Sequence, residues 1–218
     1  MVLLSPSISA LRKLLAVCET YAETHGLQYN PKKSQVLMFK AGSYTPSSVP
    51  PVVLHGTTLS VVDKVKYLGH IITQDLNDDL DIERERRALA VRSNMLARRF
   101  ARCSREVKIV LFKAFNQSFY SSSLWVKYTK KALNALRVQY NNALRMLLGL
   151  PTWCSASRMF AEAQTDDFHA VMRKRIVSMM GRLRSSTNSI LDVIAERPEN
   201  PILAHWIRQV IGFLKFRK

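Results

Sequence analysis

The first 77 residues combine one helical pattern of apolar positions with several short apolar runs. Apolar side chains recur at helical spacing from Ile8 to Cys18, behind a Ser5-Pro6-Ser7 segment suited to capping, and predict a helix that ends near His25 before Gly26. The short runs predict strands. These strands cover 1–4, 35–39, 52–54, 59–62 and 65–72, with 52–62 folded as a hairpin around His55-Gly56-Thr57 and 41–51 as a loop.

Beyond residue 78 the apolar period becomes helical throughout. Capping residues and glycine or proline stops divide this part into long and then shorter helices. The predicted helices lie near 78–103, 104–120, 129–149, 156–164, 167–185 and 188–196, with a last one after Pro198 and Pro201 that leads into the basic tail 215–218. The fold class expected is α+β. Residues 1–77 form a small sheet with one packed helix, 78–150 a basic helical domain, and 151–218 a helical extension.

Charge is the most unusual property of the composition. The 218 residues contain 33 Lys and Arg against 16 Asp and Glu, a net charge of +17. Residues 1–82 hold 7 basic and 7 acidic side chains, whereas 83–218 hold 26 and 9. The 47% apolar and 22% charged residues exclude a wholly disordered chain. The excess predicts a polyanionic partner, with nucleic acid first and a membrane surface as the main rival.

The number and spacing of the cysteines and the lengths of the apolar runs indicate the cellular location of the protein. The three cysteines, Cys18, Cys103 and Cys154, form no CxxC pair and predict buried, reduced thiols. No apolar run approaches the roughly 18 residues needed to cross a bilayer. We therefore expect an intracellular protein, in the nucleus or in a cytoplasmic ribonucleoprotein, that is not bound to a membrane.

The first long basic helix carries the clearest binding signal. At 100° per residue, Ile82, Leu89, Leu96, Phe100 and Cys103 fall on one stripe. Four arginines fall on a second stripe that lies roughly opposite. They are Arg84, Arg87, Arg98 and Arg102. A cationic face without interleaved acids predicts contacts to a nucleic-acid backbone rather than solubility alone.

Two acidic pairs and three tryptophans have alternative interpretations. Asp78-Asp79 and Asp166-Asp167 resemble carboxylates that hold Mg²⁺, but both open predicted helices, where aspartate caps amides and favours the dipole. The helix-start interpretation is favoured, and no metal site is predicted. Trp125, Trp153 and Trp206 can stack on bases, yet their aliphatic neighbours favour core positions.

Ordered motifs give the chain a family resemblance. The segments MVLLSPS, HGLQYNPKKSQVLMF and VKYLGHIIT, in this order and spacing, resemble the palm of a LINE-type (non-LTR) retrotransposon reverse transcriptase. Downstream, DLNDDLDIERERRALAVRSNMLARRFARCS and LLGLPTWCSASRMFAE are similar to its thumb and post-thumb regions. The resemblance covers nearly the whole chain and is specific as an ordered set.

The resemblance implies RNA-directed DNA synthesis by an intact parent enzyme that uses Mg²⁺. In that family a Tyr-Ala-Asp-Asp box, whose aspartates hold the metals, directly precedes a strand similar to MVLLSPS. We therefore expect Met1 to be an internal methionine of a longer ancestral protein, and 1–4 to be the second strand of the catalytic hairpin. Without those carboxylates this chain alone is expected to need no cofactor and to lack polymerase activity.

The resemblance also assigns roles near the missing aspartates. Asn30, Lys33 and Ser34 match an Asn-x-x-Lys-Ser/Thr element, in which the lysine is the general acid for departing pyrophosphate. A surface turn is an equally open interpretation, since the adjacent Lys32 is a second candidate for nucleic-acid contact.

A second element matches the hairpin that grips the primer end. It consists of Tyr67, Leu68, Gly69 and His70, in which the glycine allows close approach of the backbone. For Tyr67 and Leu68 an ordinary packed strand is an equal alternative.

Three functions are consistent with these features. The first is a reverse-transcriptase fragment that binds a template–primer, as an RNA–DNA or DNA duplex, but lacks catalytic aspartates and takes no small-molecule ligand. The second is a non-enzymatic basic RNA- or DNA-binding protein derived from such an element. The third, a cationic protein of membrane surfaces, requires arginines that flank an exposed apolar helix face.

Overall fold

The computed structural model describes residues 1–40 and 48–211. Most of the expected loop at 41–51 and the basic tail at 215–218 lie outside the described residues. The chain divides into an N-terminal unit, Met1–Leu76, and a helical unit, Asn77–Lys218. The fold is mixed α+β, as expected. The stretches 78–150 and 151–218, expected as separate domains, belong to the same compact unit.

The described residues of the N-terminal unit form one α-helix and six short strands. Helix α1 spans Ile8–Thr24, and the Ser7 side chain caps it by accepting a hydrogen bond from the Ala10 amide at 3.1 Å. Gly26, at φ 63°, follows its end. The strands are β1 (Gln35–Leu37), β2 (Val53–Leu54), β3 (Thr57–Thr58), β4 (Ser60–Val62), β5 (Lys64–Tyr67) and β6 (His70–Thr73).

These strands pair in three two-stranded ladders rather than in the expected single sheet. Strands β1 and β4 are parallel, with Val36 opposite Val61, while β2–β3 and β5–β6 are antiparallel. The expected pairing of 52–54 with 59–62 was wrong in register, because His55 and Gly56 form a two-residue turn at positive φ and the returning strand is β3. Leu59 does bond back, since its amide donates to the Val52 carbonyl at 2.8 Å, but 60–62 pair with β1.

Two other strand predictions were also wrong. Residues 65–72 form the β5–β6 hairpin rather than one strand, because Leu68 and Gly69 turn the chain at φ 45° and 84°. The apolar run concealed this turn. Residues 1–4 are not a strand, since no described strand pairs with them and an unpaired segment forms no ladder.

The core of the N-terminal unit is small. Leu15 of α1 packs with Val52, Leu54 and Leu59. Other apolar side chains of the unit remain exposed, among them Met1, Leu4, Val17 and Tyr21. One helix face is therefore covered and the rest is open to solvent.

The helical unit follows the predicted pattern closely. Its helices are α2 (Asp79–Arg99), α3 (Arg105–Asn116), α4 (Lys130–Leu148), α5 (Ala156–Glu162), α6 (Phe168–Arg184), α7 (Ser189–Ala195) and α8 (Pro201–Ile211). Ser104 and Thr129 cap α3 and α4 with their side chains, and Gly149 ends α4 at φ 67°. Helix α2 ends four residues earlier than predicted, because Ser104 must be extended to cap α3.

Aromatic side chains fill the centre of the helical unit. Tyr140 stacks on Phe160 at a centroid distance of 5.4 Å and contacts Phe112, Phe119 and Phe168. Ile82, Leu89 and Leu96 of α2 are buried in the same cluster, as their stripe predicts. A second cluster joins α6 to α8 through Ile176, Leu183, Leu203 and Trp206.

The N-terminal half of α2 is fixed by buried acids. The fully buried Asp81 carboxylate accepts hydrogen bonds from Ser121 Oγ and Trp125 Nε1, each at 2.8 Å, and from Arg84 Nε at 2.7 Å. Asp78 accepts the amides of Val126 and Lys127 at 2.8 and 3.0 Å. These carboxylates therefore hold α2 against the segment that connects α3 to α4.

Replacing Asp81 tests this attachment. Asp81→Ala leaves a buried indole N–H and hydroxyl without an acceptor and Arg84 without its closest carboxylate, so we expect a loss of about 3–5 kcal/mol in the free energy of unfolding. The matched control Glu83→Ala removes a half-exposed carboxylate from the same helix and should cost about 1 kcal/mol or less. Urea unfolding followed by tryptophan fluorescence measures both, and equal midpoints would contradict the prediction.

Limited proteolysis tests the division into units. Because the N-terminal unit has the smaller core, we expect cuts first within 1–75 and a resistant basic fragment that begins near residue 78. Mass spectrometry of the fragments locates the cuts. Greater protection of 1–75 than of the helical unit in a monomer is the opposing result.

Candidate nucleic-acid interface

The solvent side of α2 presents arginines around two apolar side chains. Arg87, Val91, Met95 and Arg98 follow one another at intervals of three or four residues over about 16 Å and lie on the face opposite the core. Val91 and Met95 are 69% and 47% exposed. We call this set the arginine face of α2.

Arg84 does not belong to the arginine face, although its spacing predicted so. Its guanidinium turns toward the protein, donates to Asp81 Oδ1 at 2.7 Å and Ser121 Oγ at 3.3 Å, and lies 3.3 Å from a Glu85 carboxylate oxygen. Hydrogen bonding to Asp81 raises the pKa of Arg84, and burial opposes that rise. These contacts are structural, and the role of Arg84 in backbone contact stays a prediction.

Arg87 is exposed but shares a carboxylate. Its Nε donates to Glu83 at 2.7 Å, and Arg86 donates to the same carboxylate at 2.6 and 2.8 Å. The hydrogen bond from Arg86 is the largest influence lowering the pKa of Glu83 to about 2; Arg87 adds to it, and burial opposes it. Glu83 therefore stays charged at neutral pH and offsets part of the positive charge of Arg87.

Four arginines of the described chain lie close together in sequence where α2 meets α3. Arg98, Arg99 and Arg102 are exposed, and among the described residues no carboxylate lies within ion-pair distance of them. Arg105 follows at the start of α3, with Glu162 no closer than 3.8 Å. We call Arg98, Arg99, Arg102 and Arg105 the arginine corner.

The sequence pattern predicted only two of the four arginines of this corner. Arg98 and Arg102 were predicted, but Arg99 and Arg105 fall off the projected stripe, which assumed an unbroken helix. Because α2 ends at Arg99, Arg102 lies in the turn beyond it, where angular spacing no longer applies. The local density of four arginines in eight residues without an acid was the signal that identifies the corner.

Lys32 and Lys33 lie on a tight turn of the N-terminal unit. Pro31–Lys33 form a short 3₁₀ turn, in which Asn30 Oδ1 accepts the Lys33 amide at 3.2 Å and Ser34 Oγ donates to the Asn30 carbonyl at 2.9 Å. Both lysine side chains are exposed. Asn30 and Ser34 thus fix the backbone that presents the lysines, immediately before β1.

The four residues expected to grip a primer form the end of the β5–β6 hairpin. Tyr67 pairs with His70 across the turn, and Leu68 and Gly69 are its two central residues. Leu68 is 76% exposed at a positive φ, which is uncommon for a branched residue. Leu68 is a turn residue rather than part of a packed strand, whereas Tyr67 ends β5 and is 45% exposed. The structure groups this hairpin with the lysine turn in one unit and the arginines in the other.

Among the acidic pairs, Asp167 caps the helix that it precedes, but Asp78 makes no side-chain cap of α2, so the expected capping is wrong for Asp78. Asp79 accepts the Thr129 amide at 2.7 Å, and Asp167 caps α6 through the Ala170 amide at 2.7 Å. Asp166 pairs with Lys174 Nζ at 2.5 Å. Within the described ranges, no three His, Cys, Asp or Glu side chains are grouped so that they could hold a metal ion.

The predictions for the tryptophans and the cysteines are only partly correct. Trp125 and Trp206 are buried, but the core prediction was wrong for Trp153, which is 85% exposed in the turn after α4, where no helix covers it. Cys18, Cys103 and Cys154 are free thiols, half-buried rather than buried.

In the described part of the chain, no helix has both the length and the apolar character to cross a bilayer. Searches of protein-family models, of curated proteins and of solved structures find no match to this chain.

Proposed function

We propose that this chain is the template–primer-binding part of a LINE-type reverse transcriptase, and that it binds RNA–DNA or DNA duplexes by their backbones without polymerising. The proposal combines the ordered sequence motifs with the charge distribution of the helical unit. The observation that carries it is the arginine corner, where the exposed guanidinium groups of Arg98, Arg99 and Arg102 have no carboxylate within ion-pair distance among the described residues and Arg105 has only Glu162, at 3.8 Å. Phosphate oxygens are the ligands that such groups bind most readily.

The geometry of α2 suits a duplex backbone. Its acid-rich N-terminal half is occupied by internal contacts, whereas its C-terminal end and the following turn carry the free cations. A cationic surface of this kind binds phosphates in any sequence, because phosphates carry no base information. Val91 and Met95 beside the arginines can contact the sugar edges of a duplex.

The N-terminal unit supports the reverse-transcriptase proposal through two turns. The Asn30 to Ser34 turn presents Lys33, proposed as general acid toward pyrophosphate, and the β5–β6 hairpin presents an exposed tip proposed to hold a primer end. Both elements are local structures that the family motifs imply. Their roles depend on the resemblance, since the geometry alone is that of two well-formed turns.

A non-enzymatic RNA- or DNA-binding protein derived from such an element is the second candidate. It is favoured by the acidic pairs, whose oxygens accept backbone amides and an ammonium group instead of pointing to a common site. A reading frame that continues upstream of Met1 into a Tyr-Ala-Asp-Asp box separates the two candidates.

A membrane surface is a weaker partner for α2. A helix that lies on a bilayer needs an exposed apolar face along its length. The apolar stripe of α2, formed by Ile82, Leu89 and Leu96, is instead buried in the core. Only Val91 and Met95 remain on the arginine face. The exposed surface of α2 is therefore mainly cationic.

Replacing the arginine corner tests duplex binding. We expect Arg98→Gln, Arg99→Gln and Arg102→Gln together to weaken binding of an RNA–DNA duplex uniformly across sequences and to lower the salt slope of log Kd by up to about 3. Fluorescence anisotropy over a range of salt concentrations measures both quantities.

A control with the same loss of charge makes this result specific. Arg182→Gln, Arg184→Gln and Arg197→Gln remove three exposed cations elsewhere in the helical unit and should change binding less. Wild-type binding that does not vary with salt, or an equal effect of both triple variants, is incompatible with the proposal. Binding to anionic vesicles without binding to duplex favours the membrane function instead.

Primer extension tests the absence of polymerase activity. We expect none from the purified chain on a primed RNA template with Mg²⁺ or Mn²⁺, because the family's metal-binding aspartates precede the first motif and Asp78 and Asp79 accept backbone amides. Extension that is abolished by Asp78→Asn with Asp79→Asn would overturn this and assign the pair to catalysis.

A further inference from the structure

A groove in the helical unit is lined by cations and aromatic rings. It lies between the start of α4, the start of α6 and the end of α8, and has a volume of about 820 Å³. Lys130, Arg137 and Arg208 supply its charge, and Tyr128, His169 and His205 line it as well. No Asp or Glu is among the described residues that line it. We call it the α4–α8 groove.

A second cleft shows how unusual this lining is. The cleft between α3, α5 and α6 measures about 630 Å³ and also contains two lysines, Lys113 and Lys174. Asp166 and Asp167 line it too, and Lys174 is paired with Asp166. Its charges therefore balance internally, whereas those of the α4–α8 groove do not.

The first turn of α4 adds to the positive potential of the groove. Lys130 and Lys131 occupy this turn, which contains no acidic residue. Cations at a helix N-terminus oppose the dipole and cost stability, while acidic residues are favoured there. The Asp79 carboxylate, which accepts the amide of the N-cap residue Thr129 at 2.7 Å, offsets part of this repulsion, and an anionic ligand in the groove would relieve more of it.

The two histidines of the groove, His169 and His205, can donate and accept hydrogen bonds at neutral pH and add no positive charge. Burial is the main cause that lowers the pKa of each; Arg208 acts in the same direction on His205, as do Arg137 and Arg173 on His169. Asp167 opposes the shift of His169. The net positive charge at the groove thus comes from the lysine and the arginines.

The rigid frame of the groove places rings beside these cations. Trp206 Nε1 donates to the Ser123 carbonyl at 2.6 Å, and Gln209 Nε2 donates to Tyr128 Oη at 3.3 Å, which ties α8 to the segment before α4. Tyr128 and His205 meet edge to face at a centroid distance of 5.8 Å. A base can lie beside these rings while its phosphates face the cations.

We propose that the α4–α8 groove binds single-stranded nucleic acid, with Lys130, Arg137 and Arg208 holding consecutive phosphates and a base against Tyr128. The volume lies within the range that accommodates a nucleotide-sized ligand. Stacking on an aromatic ring beside a cationic track is the usual mode of binding single strands. This site is separate from the arginine corner and does not depend on duplex binding there.

Neutralising the groove tests the inference on the full chain. The probe is a labelled, unstructured oligouridine of about eight nucleotides, long enough to fill a site of this kind. Arg137→Gln with Arg208→Gln should weaken its binding about tenfold or more, because each arginine contributes a charge-assisted hydrogen bond. The control Arg182→Gln with Arg184→Gln removes the same charge from the last turn of α6 and should change affinity little.

Two further measurements accompany this experiment. The thermal midpoint of each variant detects misfolding, and competition by AMP or inorganic phosphate distinguishes the source of the phosphate. Arg137 bonds only Asn134 on its own helix among the described side chains, and Arg208 bonds the Ala204 carbonyl, so the fold should tolerate both changes. Should the thermal midpoint fall, the single variants Lys130→Gln, Arg137→Gln and Arg208→Gln are compared, and those that keep the wild-type midpoint should each weaken binding of the oligouridine. Competition by AMP or inorganic phosphate should be weak, since one phosphate fills only part of the groove.

The outcomes are separable. Equal losses in the groove variant and the control, or AMP binding as tightly as the oligouridine, overturns the proposal of a single-strand site. Loss of oligouridine binding with unchanged duplex binding supports it. If only the arginine-corner variant loses duplex binding, the proposal for the groove is unaffected. Each of the two proposals can therefore fail without the other.

Discussion

The buried carboxylate of Asp81 determines the orientation of α2 in the helical unit. It accepts hydrogen bonds from Trp125, Ser121 and Arg84, and these donors come from residues up to 44 positions away in the chain. A charge taken out of water requires such partners, because an unpaired buried carboxylate is very costly. The segment between α3 and α4 is therefore held against the first turns of α2, and the apolar stripe of α2 faces the aromatic core.

This attachment also sorts the charges of α2. Arg84 and Arg92 bind the buried acids Asp81 and Glu85, so the N-terminal half of the helix is largely neutralised from within. Glu85 is the last acidic residue of α2, whereas arginines continue through the end of α2 and the following turn to Arg105. Free positive charge therefore concentrates at the arginine corner instead of spreading along the helix. A second concentration arises at the α4–α8 groove, where the cations of two helices, α4 and α8, meet without an acid in the described lining.

Local signals made the helices predictable from the sequence. Ser7, Ser104 and Thr129 cap helices with their own side chains, and Gly149 provides the left-handed stop after α4. The strands were less predictable, because pairing is a long-range property that apolar runs do not encode. The parallel partner of β1 lies 25 residues away, and the Leu68-Gly69 turn is hidden inside an apolar run.

The candidate site was predictable in kind and only partly in detail. The excess of basic residues after residue 82 and the density of arginine identified the α2 region. Angular spacing could not reveal that Arg84 has Asp81 as its partner, since the same spacing fits an exposed arginine. The groove joins Lys130, Arg137 and Arg208 across about 80 residues of sequence, so only the packing of α8 against the start of α4 reveals it.

The most direct test of nucleic-acid binding by the helical unit is photocrosslinking, with the adducts located by mass spectrometry. The probe is an RNA–DNA duplex that carries 4-thiouridine in its RNA strand. Binding through the arginine corner places adducts within 91–105, in the helical unit, and high salt removes them. Adducts confined to 1–76, or adducts that persist unchanged at high salt, would contradict a duplex interface formed by the end of α2.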